Sequence, residues 1–223
     1  EQTGVNTITE VIPMVPGLSG ADYGLATNSW AIRGIGSNDW TIGSEPSVGV
    51  FVDDGYVGRN IFATTNFFDI NRIEVVKGPQ GTLFGRNAAA GAISLITNKP
   101  GYENEWRLGV AVGDEGQQRY EVVGNWAVSD TFALRLAYQH QEWDGMWTEI
   151  LSGEDMYTES DVIRVSARWD ITDNLEALIK FNHGKAETNY TSAVNIPTNL
   201  AQPGVEYPDR YAINQPNFEQ NED

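Results

Sequence analysis

The chain contains no cysteine. That excludes disulfides, cysteine–zinc sites and thiol nucleophiles, but it does not fix the compartment. It also lacks any apolar run of roughly 18 or more residues, the length a membrane-crossing helix needs. A β-barrel would leave no such run and stays open. Positive charge is scarce: 14 Lys and Arg stand against 31 Asp and Glu, a net charge of −17. Nucleic-acid binding requires basic patches that neutralise phosphates, so that class is excluded. The acidity is concentrated after residue 100. The chain opens on Glu1 rather than Met, with no signal peptide, and is expected to be a processed or internal piece.

Motifs for bond chemistry are missing too. There is no Gly-x-Ser-x-Gly elbow, and Ser19 between Gly17 and Gly20 has the wrong spacing. His140 and His183 fall on different predicted strands with no partner visible in the spacing, and read as ordinary strand residues. Gly78 to Gly91 is glycine-rich but has no phosphate-loop Lys-Ser/Thr, and Gly34-Ile35-Gly36 lacks a third glycine at 39. Asp53-Asp54 reads as a turn before it reads as a cation site. No catalytic residue, metal ligand or cofactor is therefore assigned, and the chain is not expected to be an enzyme. The acidic pairs Asp114-Glu115, Glu154-Asp155 and Glu222-Asp223 read as a solvated face, with divalent cations near anionic headgroups as a secondary role.

What the chain does have is 40 % hydrophobic residues, with 7 Trp and 9 Tyr. It is organised around residues 72–100. Ile73 to Val76 are extended and β-branched, and Gly78-Pro79 breaks the run. Thr82 to Phe84 form a compact turn. Ala88 to Gly91 have almost no side chain, so backbone can approach closely. Ala92 to Thr97 resume an extended run that ends at Asn98-Lys99-Pro100. Before this stretch, residues 5–12 have helical spacing and Pro13 and Pro16 stop them. Residues 29–36 read as one strand ending in glycines. Residues 47–58 read as a hairpin turning at Asp53-Asp54-Gly55, and 61–71 as a polar-aromatic connector.

From residue 105 the period becomes two. Strands are expected at 105–113, 118–128, 132–142, 161–170 and 175–185. One parity is apolar throughout, for example Trp106, Leu108, Val110 and Val112, or Ile163, Val165, Ala167 and Trp169. The other holds Arg107, Arg119, Arg135, Arg164, Arg168 and Lys180. Alternation alone fits a soluble sandwich with polar residues outward. Two features favour a membrane barrel. Tight connections at Ser129–Thr131 and Asp170–Asn174 alternate with long polar ones at 143–160 and 186–223. Trp106, Trp126, Phe132 and Trp169 all fall near the tight-turn end, as an aromatic girdle requires. Five strands cannot close a barrel, and residues 214–223 read as a polar loop, so a longer protein is expected.

Residues 32–38, 46–59 and 69–100, together with Pro16-Gly17-Leu18, resemble the plug domain of TonB-dependent outer-membrane receptors. Residues 105–185 are similar to the opening strands of that family's large barrel. The resemblance implies an α+β plug domain over 1–100, followed over 101–223 by antiparallel transmembrane β-strands of an incomplete outer-membrane β-barrel. It implies uptake of a scarce ligand across the bacterial outer membrane, foremost a ferric siderophore or other iron complex. Oligosaccharide or vitamin B12 import, or a signal-transducing receptor of the same fold, are the alternatives, with a soluble β-sandwich enzyme as a distant rival. The implied partners are the TonB protein of the inner membrane, outer-membrane lipid and a small-molecule ligand. The TonB-contacting segment is not recognisable and is expected before Glu1. The resemblance also implies that Arg33 and Lys77, with Arg86 and Glu74, lock the plug to barrel-wall charges, since buried charges must be paired. Ligand contacts are expected at plug apices, at Asn38, Asp39 and Trp40 and at Tyr56, Arg59 and Asn60. The Asp53-Asp54-Gly55 turn carries one acid more than the family's usual Asp-Gly.

Overall fold

The computed structural model describes residues 8–21, 29–37, 46–58, 67–79, 81–85, 88–114, 116–144, 148–149, 157–189, 212–213 and 220–222. The backbone divides into two compact units, residues 1–99 and 100–223.

The first unit opens with α1 (Ile8–Val11), which tightens into a 3-10 turn over Ile12–Met14. Pro13 sits in the first turn of that segment, where a missing N–H costs little. The predicted helix over 5–12 thus starts at Ile8 among the described residues. A short strand, β1 (Leu18–Ala21), follows. The expected single strand at 29–36 is instead a hairpin, β2 (Ser29–Ile32) and β3 (Ile35–Gly36), with Ile32 opposite Ile35. Arg33 and Gly34 turn it with φ of +54° and +78°, the positive pair a two-residue hairpin needs. β4 (Val48–Val52) and β5 (Gly55–Val57) form a second hairpin, turned by Asp53 at φ +48° and Asp54 at +67°. β6 (Ile70–Lys77), α2 (Gly81–Phe84) and β7 (Gly91–Thr97) complete the unit. The main sheet runs β5-β4-β7-β6, with β4 and β7 parallel.

Both faces of this sheet are covered, so β4 and β7 are nearly all buried rather than alternating. One face packs Val48, Val50, Ile93 and Leu95 with Ile8, Val11, Trp30 and Ile32. The other packs Phe51 with Ala88, Ala92 and Phe84. Each large aliphatic contributes about 1.5–3 kcal/mol by leaving water. Gly91 is a close-approach position: a Cβ there would lie 2.3 Å from the Val76 carbonyl oxygen and 2.7 Å from Ile32 Cδ1.

The second unit is an antiparallel meander: β8 (Glu105–Val112), β9 (Gln118–Ala127), β10 (Phe132–Trp143), β12 (Thr158–Thr172) and β13 (Leu175–Thr188). A short strand β11 (Thr148–Glu149) pairs in parallel with β14 (Ala212–Ile213). β15 (Gln220–Glu222) adds to the free side of β13, where a polar loop was expected. The five predicted strands are all present. β12 and β13 run further than expected because Thr158 and Thr188 bond hydroxyl to hydroxyl at 3.2 Å and Asn189 Oδ1 accepts from the Tyr157 amide at 2.8 Å. Turns at Ser129–Thr131 and Asp173–Asn174 are tight, the first held by Ser129 Oγ accepting from the Phe132 amide at 3.0 Å. The connection over 113–117, at the opposite end, is also short.

Burial decides between the two readings of the alternation. Leu108, Val110, Ile179 and Phe181 are 77, 71, 70 and 61 % exposed, whereas Asn125, Arg135, Gln139, Arg164 and Ser166 on the other parity are buried. The polar parity is the covered one and the aliphatic parity is open. A soluble sandwich would bury the aliphatics, so that reading is overturned. At the tight-turn end Trp106 and Trp126 meet edge to face at 4.8 Å over Gly124, and Phe132 lies opposite Trp169.

The open face makes a sharp prediction. Phe181→Arg, at mid-height of that face opposite Val165, should cost about 2–4 kcal/mol of folding stability in the full-length protein in a bilayer, as for an arginine at the midplane. Equilibrium unfolding into lipid vesicles reads this directly. A neutral or stabilising effect, as at a water-exposed site, would contradict it.

Candidate functional site

The sheet of the first unit is closed at each end by polar contacts that the hairpins position. At one end the turn between β4 and β5 aims the Asp53 carboxylate at β7. Its Oδ1 accepts from the Thr97 amide at 2.9 Å and its Oδ2 from the Thr97 hydroxyl at 2.6 Å. Asp69, also left-handed at φ +49°, accepts from Asn98 twice, through its carbonyl at 3.0 Å and its Oδ1 at 2.8 Å. Aspartate tolerates this backbone better than other non-glycine residues because its short side chain bonds locally. The second acid of the Asp53-Asp54 turn stays exposed; Asp53 makes the clasp.

At the other end Lys77 Nζ donates to the Pro16 carbonyl at 2.6 Å. That bond ties the segment before β1 to the last residue of β6. Gly78 N donates to the Ala90 carbonyl and Ala90 N to the Ser47 carbonyl, each at 2.9 Å. Arg33 sits exposed at the tip of the β2–β3 turn, and its amide donates to the Gly17 carbonyl at 2.7 Å. Glu74 pairs with Arg72 at 2.6 Å, an exposed contact worth little in water. Of the expected lock residues, then, Lys77 and Arg33 both lie beside the 16–18 segment, Glu74 stands on the exposed side of β6, and Arg86 lies outside the described residues. Of the expected apex residues only Tyr56 is described. It packs on Phe51 at 5.5 Å, which packs on Phe84 at 4.7 Å. Asn38, Asp39, Trp40, Arg59 and Asn60 lie outside the described residues.

The covered parity of the second unit is a row of paired cations. Arg107 Nη2 and Nε both reach Glu121 Oε1, at 2.7 and 3.2 Å. Arg135 reaches across β9 to Glu105 at 3.3 Å, and Arg164 Nε donates to Asn182 Oδ1 at 2.6 Å. Arg168 lies 2.9 Å from Glu176 and its guanidinium stacks 4.7 Å over the Tyr102 ring. Buried charge is tolerable only with such partners. Asn125, fully buried, binds the start of this unit: it accepts from the Gly101 amide and donates to the carbonyls of Gly101 and Glu103. The arginines of this polar row are held by neighbours within the sheet rather than left reactive.

One group that the spacing left without a partner has one. His140 Nδ1 lies 3.0 Å from Asp161 Oδ1. The two are directly opposite on β10 and β12, 21 residues apart in the chain, so only the strand register shows the pair.

Comparison with known proteins bears on the whole. The model of the TonB-dependent Receptor Plug Domain matches residues 1–92. The catecholate siderophore receptor Fiu of Escherichia coli is 28 % identical over 137 residues, covering 60 % of this chain and 17 % of its own length. The ferripyoverdine receptor of Pseudomonas aeruginosa is 29 % identical over 119 residues, covering 53 % of this chain and 14 % of its own. The solved ferric yersiniabactin uptake receptor FyuA of Yersinia pestis superposes with a TM-score of 0.71 at 22 % identity, over 83 % of this chain and 29 % of its own. The matched stretches thus span 14 to 29 % of the length of these relatives.

The aspartate clasp is testable by amide exchange. Asp53→Ala removes both bonds to Thr97 and puts a less tolerant residue at positive φ; charge-assisted bonds contribute about 1.5–3 kcal/mol each. The Thr97 amide should exchange on the order of tenfold faster or more, while Asp53→Asn, which keeps the left-handed preference, loses less. Unchanged protection at Thr97 in Asp53→Ala would show that the clasp holds nothing.

Proposed function

We propose, from the premise that residues 1–92 are a TonB-dependent receptor plug domain, that the protein is an outer-membrane receptor taking up a ferric siderophore. The observation that carries this reading is the pairing of that plug with a sheet whose aliphatic face is open and whose charged face is covered. A plug alone would not cross a membrane, and such a sheet alone would not specify regulated uptake. The relatives whose names mention catecholate siderophores and ferripyoverdine support an iron chelate as cargo. The likeness of fold to the yersiniabactin receptor supports the architecture.

The mechanism involves no bond chemistry. Ligand is captured at the outer side, and energy from the inner-membrane proton gradient, delivered by TonB, shifts the plug. In this reading Arg33, Lys77, Arg86 and Glu74 lock the plug by ion pairs, which break under load more readily than an apolar interface of equal area. An ammonium has three donors, so Lys77 retains two after serving Pro16. Tyr56, with Asn38, Asp39, Trp40, Arg59 and Asn60, would contact the cargo. An open sheet edge in hydrocarbon is costly, so the reading also requires further strands beside β8 and β13 to close the wall.

Uptake of radiolabelled ferric catecholate, ferripyoverdine and ferrioxamine by iron-limited cells tests this. Deleting the gene should abolish uptake of at least one chelate, and a proton uncoupler should do the same in the intact strain. Full uptake of all iron chelates, with loss of vitamin B12 or oligosaccharide uptake instead, would overturn the cargo but not the architecture. For the lock, Lys77→Ala should raise permeability to a large antibiotic severalfold, and Lys77→Arg much less. Unchanged permeability and uptake in Lys77→Ala would remove Lys77 from it.

A further inference from the structure

We propose that His140, Glu159 and Asp161 form a binding site for a first-row divalent transition-metal ion on the open face of the second unit. The three offer one imidazole nitrogen and two carboxylate oxygens, all within 4.8 Å of one another. Tetrahedral zinc with bonds of about 2.0–2.2 Å places its ligand atoms about 3.3 Å apart. His140 Nδ1 and Asp161 Oδ1 are already at 3.0 Å, and small rotations bring Glu159 in. One nitrogen and two carboxylates suit zinc, cobalt or nickel and leave a further position open.

The strand register builds the site. His140 lies directly opposite Asp161, and Glu159 is two residues from Asp161 on the same face. Ligands fixed on neighbouring strands of a ladder need no loop to order. Tyr138 donates to Asp161 Oδ1 at 2.6 Å and Tyr120 stacks on His140 at 6.1 Å, so both ligands are oriented from outside the set. Without an ion the Glu159 charge is poorly placed. Glu142 stands directly opposite Glu159, and like charges in that position destabilise a sheet. Lys185, directly opposite Asp161, offsets part of the charge and also pairs with Glu187. A divalent ion would offset this repulsion.

The position is also distinctive. Going along the open parity of β12 from Trp169, the residues are Ala167, Val165 and Ile163, and then Asp161 and Glu159. Eight residues at about 3.3 Å each, on a strand tilted by about 40°, rise about 20 Å, close to the height of an apolar band. The three ligands therefore sit where the aliphatic face gives way to polar surface, at the end away from the tryptophans. The site needs only the geometry of β10 and β12 and stands apart from the nature of the cargo.

Zinc alone is the probe. Full-length protein in detergent, stripped with EDTA, is titrated with Zn²⁺ by calorimetry, and the loaded form is read by X-ray absorption. One saturable site per protein is expected, with nitrogen and oxygen scatterers at about 2.0–2.2 Å. His140→Ala and Asp161→Asn should each weaken it about tenfold or more. Glu159→Gln, a shape-preserving change, should do likewise and guards against a folding defect in the others. His183→Ala, on the same face of β13, should leave it unchanged. The absence of a saturable site, wild-type affinity in His140→Ala and Asp161→Asn, or an equal loss in His183→Ala would each overturn the proposal.

Discussion

A strand in hydrocarbon has no water to satisfy its backbone, so every amide and carbonyl must pair within the sheet. The second unit answers to that constraint more than to any side-chain contact. Along β8, β9, β10, β12 and β13 each strand is registered to its neighbour almost without interruption, the one slip lying between Asp170 and Thr172 beside a tight turn. Once the backbone is spent on the ladder, only side chains remain to choose a face. Aliphatics take the open one, and Trp106, Trp126 and Trp169 collect where the tight turns lie. The arginines are thereby driven onto the covered parity, where Arg107, Arg135, Arg164 and Arg168 must each find a partner.

The first unit obeys a different rule. Its central strands are buried on both faces, so packing holds it in the ordinary way, and its polar groups act at the ends of the sheet. Asp53 and Asp69 accept left-handed backbone in order to aim carboxylates at Thr97 and Asn98. Lys77 binds the early segment at the other end. In the proposed role as a plug, the unit must be firm yet released on demand. Apolar burial supplies the firmness, while a few directional bonds at the margins are what a pull on one segment would break first.

The period-two stretches were legible in the sequence because one parity carries no charge. Their interiors and the Ser129–Thr131 turn follow from that pattern alone. The outer ends did not follow, since around Thr158–Ser160 and Lys185–Thr188 both parities are polar and only cross-strand threonine and asparagine bonds extend the ladder. The 29–36 hairpin was hidden because Arg33, a long non-glycine residue, occupies the left-handed turn position and gives no turn signal. Asp53 read correctly as a turn, but its clasp on Thr97 spans 44 residues and no local pattern reports it. The His140–Asp161 pair was missed for the same reason. Side chains that meet across a register are visible only once the register is known.

The central claim is that the aliphatic parity of β8 to β13 faces lipid. No cysteine occurs in these 223 residues, so single cysteines can be introduced into the full-length protein once any cysteine elsewhere in it is replaced. Spin labels at Leu108, Val110, Ile179 and Phe181, and at Arg135 and Gln139, would be compared in bilayers for collision with oxygen, which partitions into lipid, and with a water-soluble nickel chelate. The account predicts high oxygen and low nickel access at the first four positions, with the order lost at the last two. Strong nickel access at Leu108, Val110, Ile179 and Phe181 would place that face in water and contradict it.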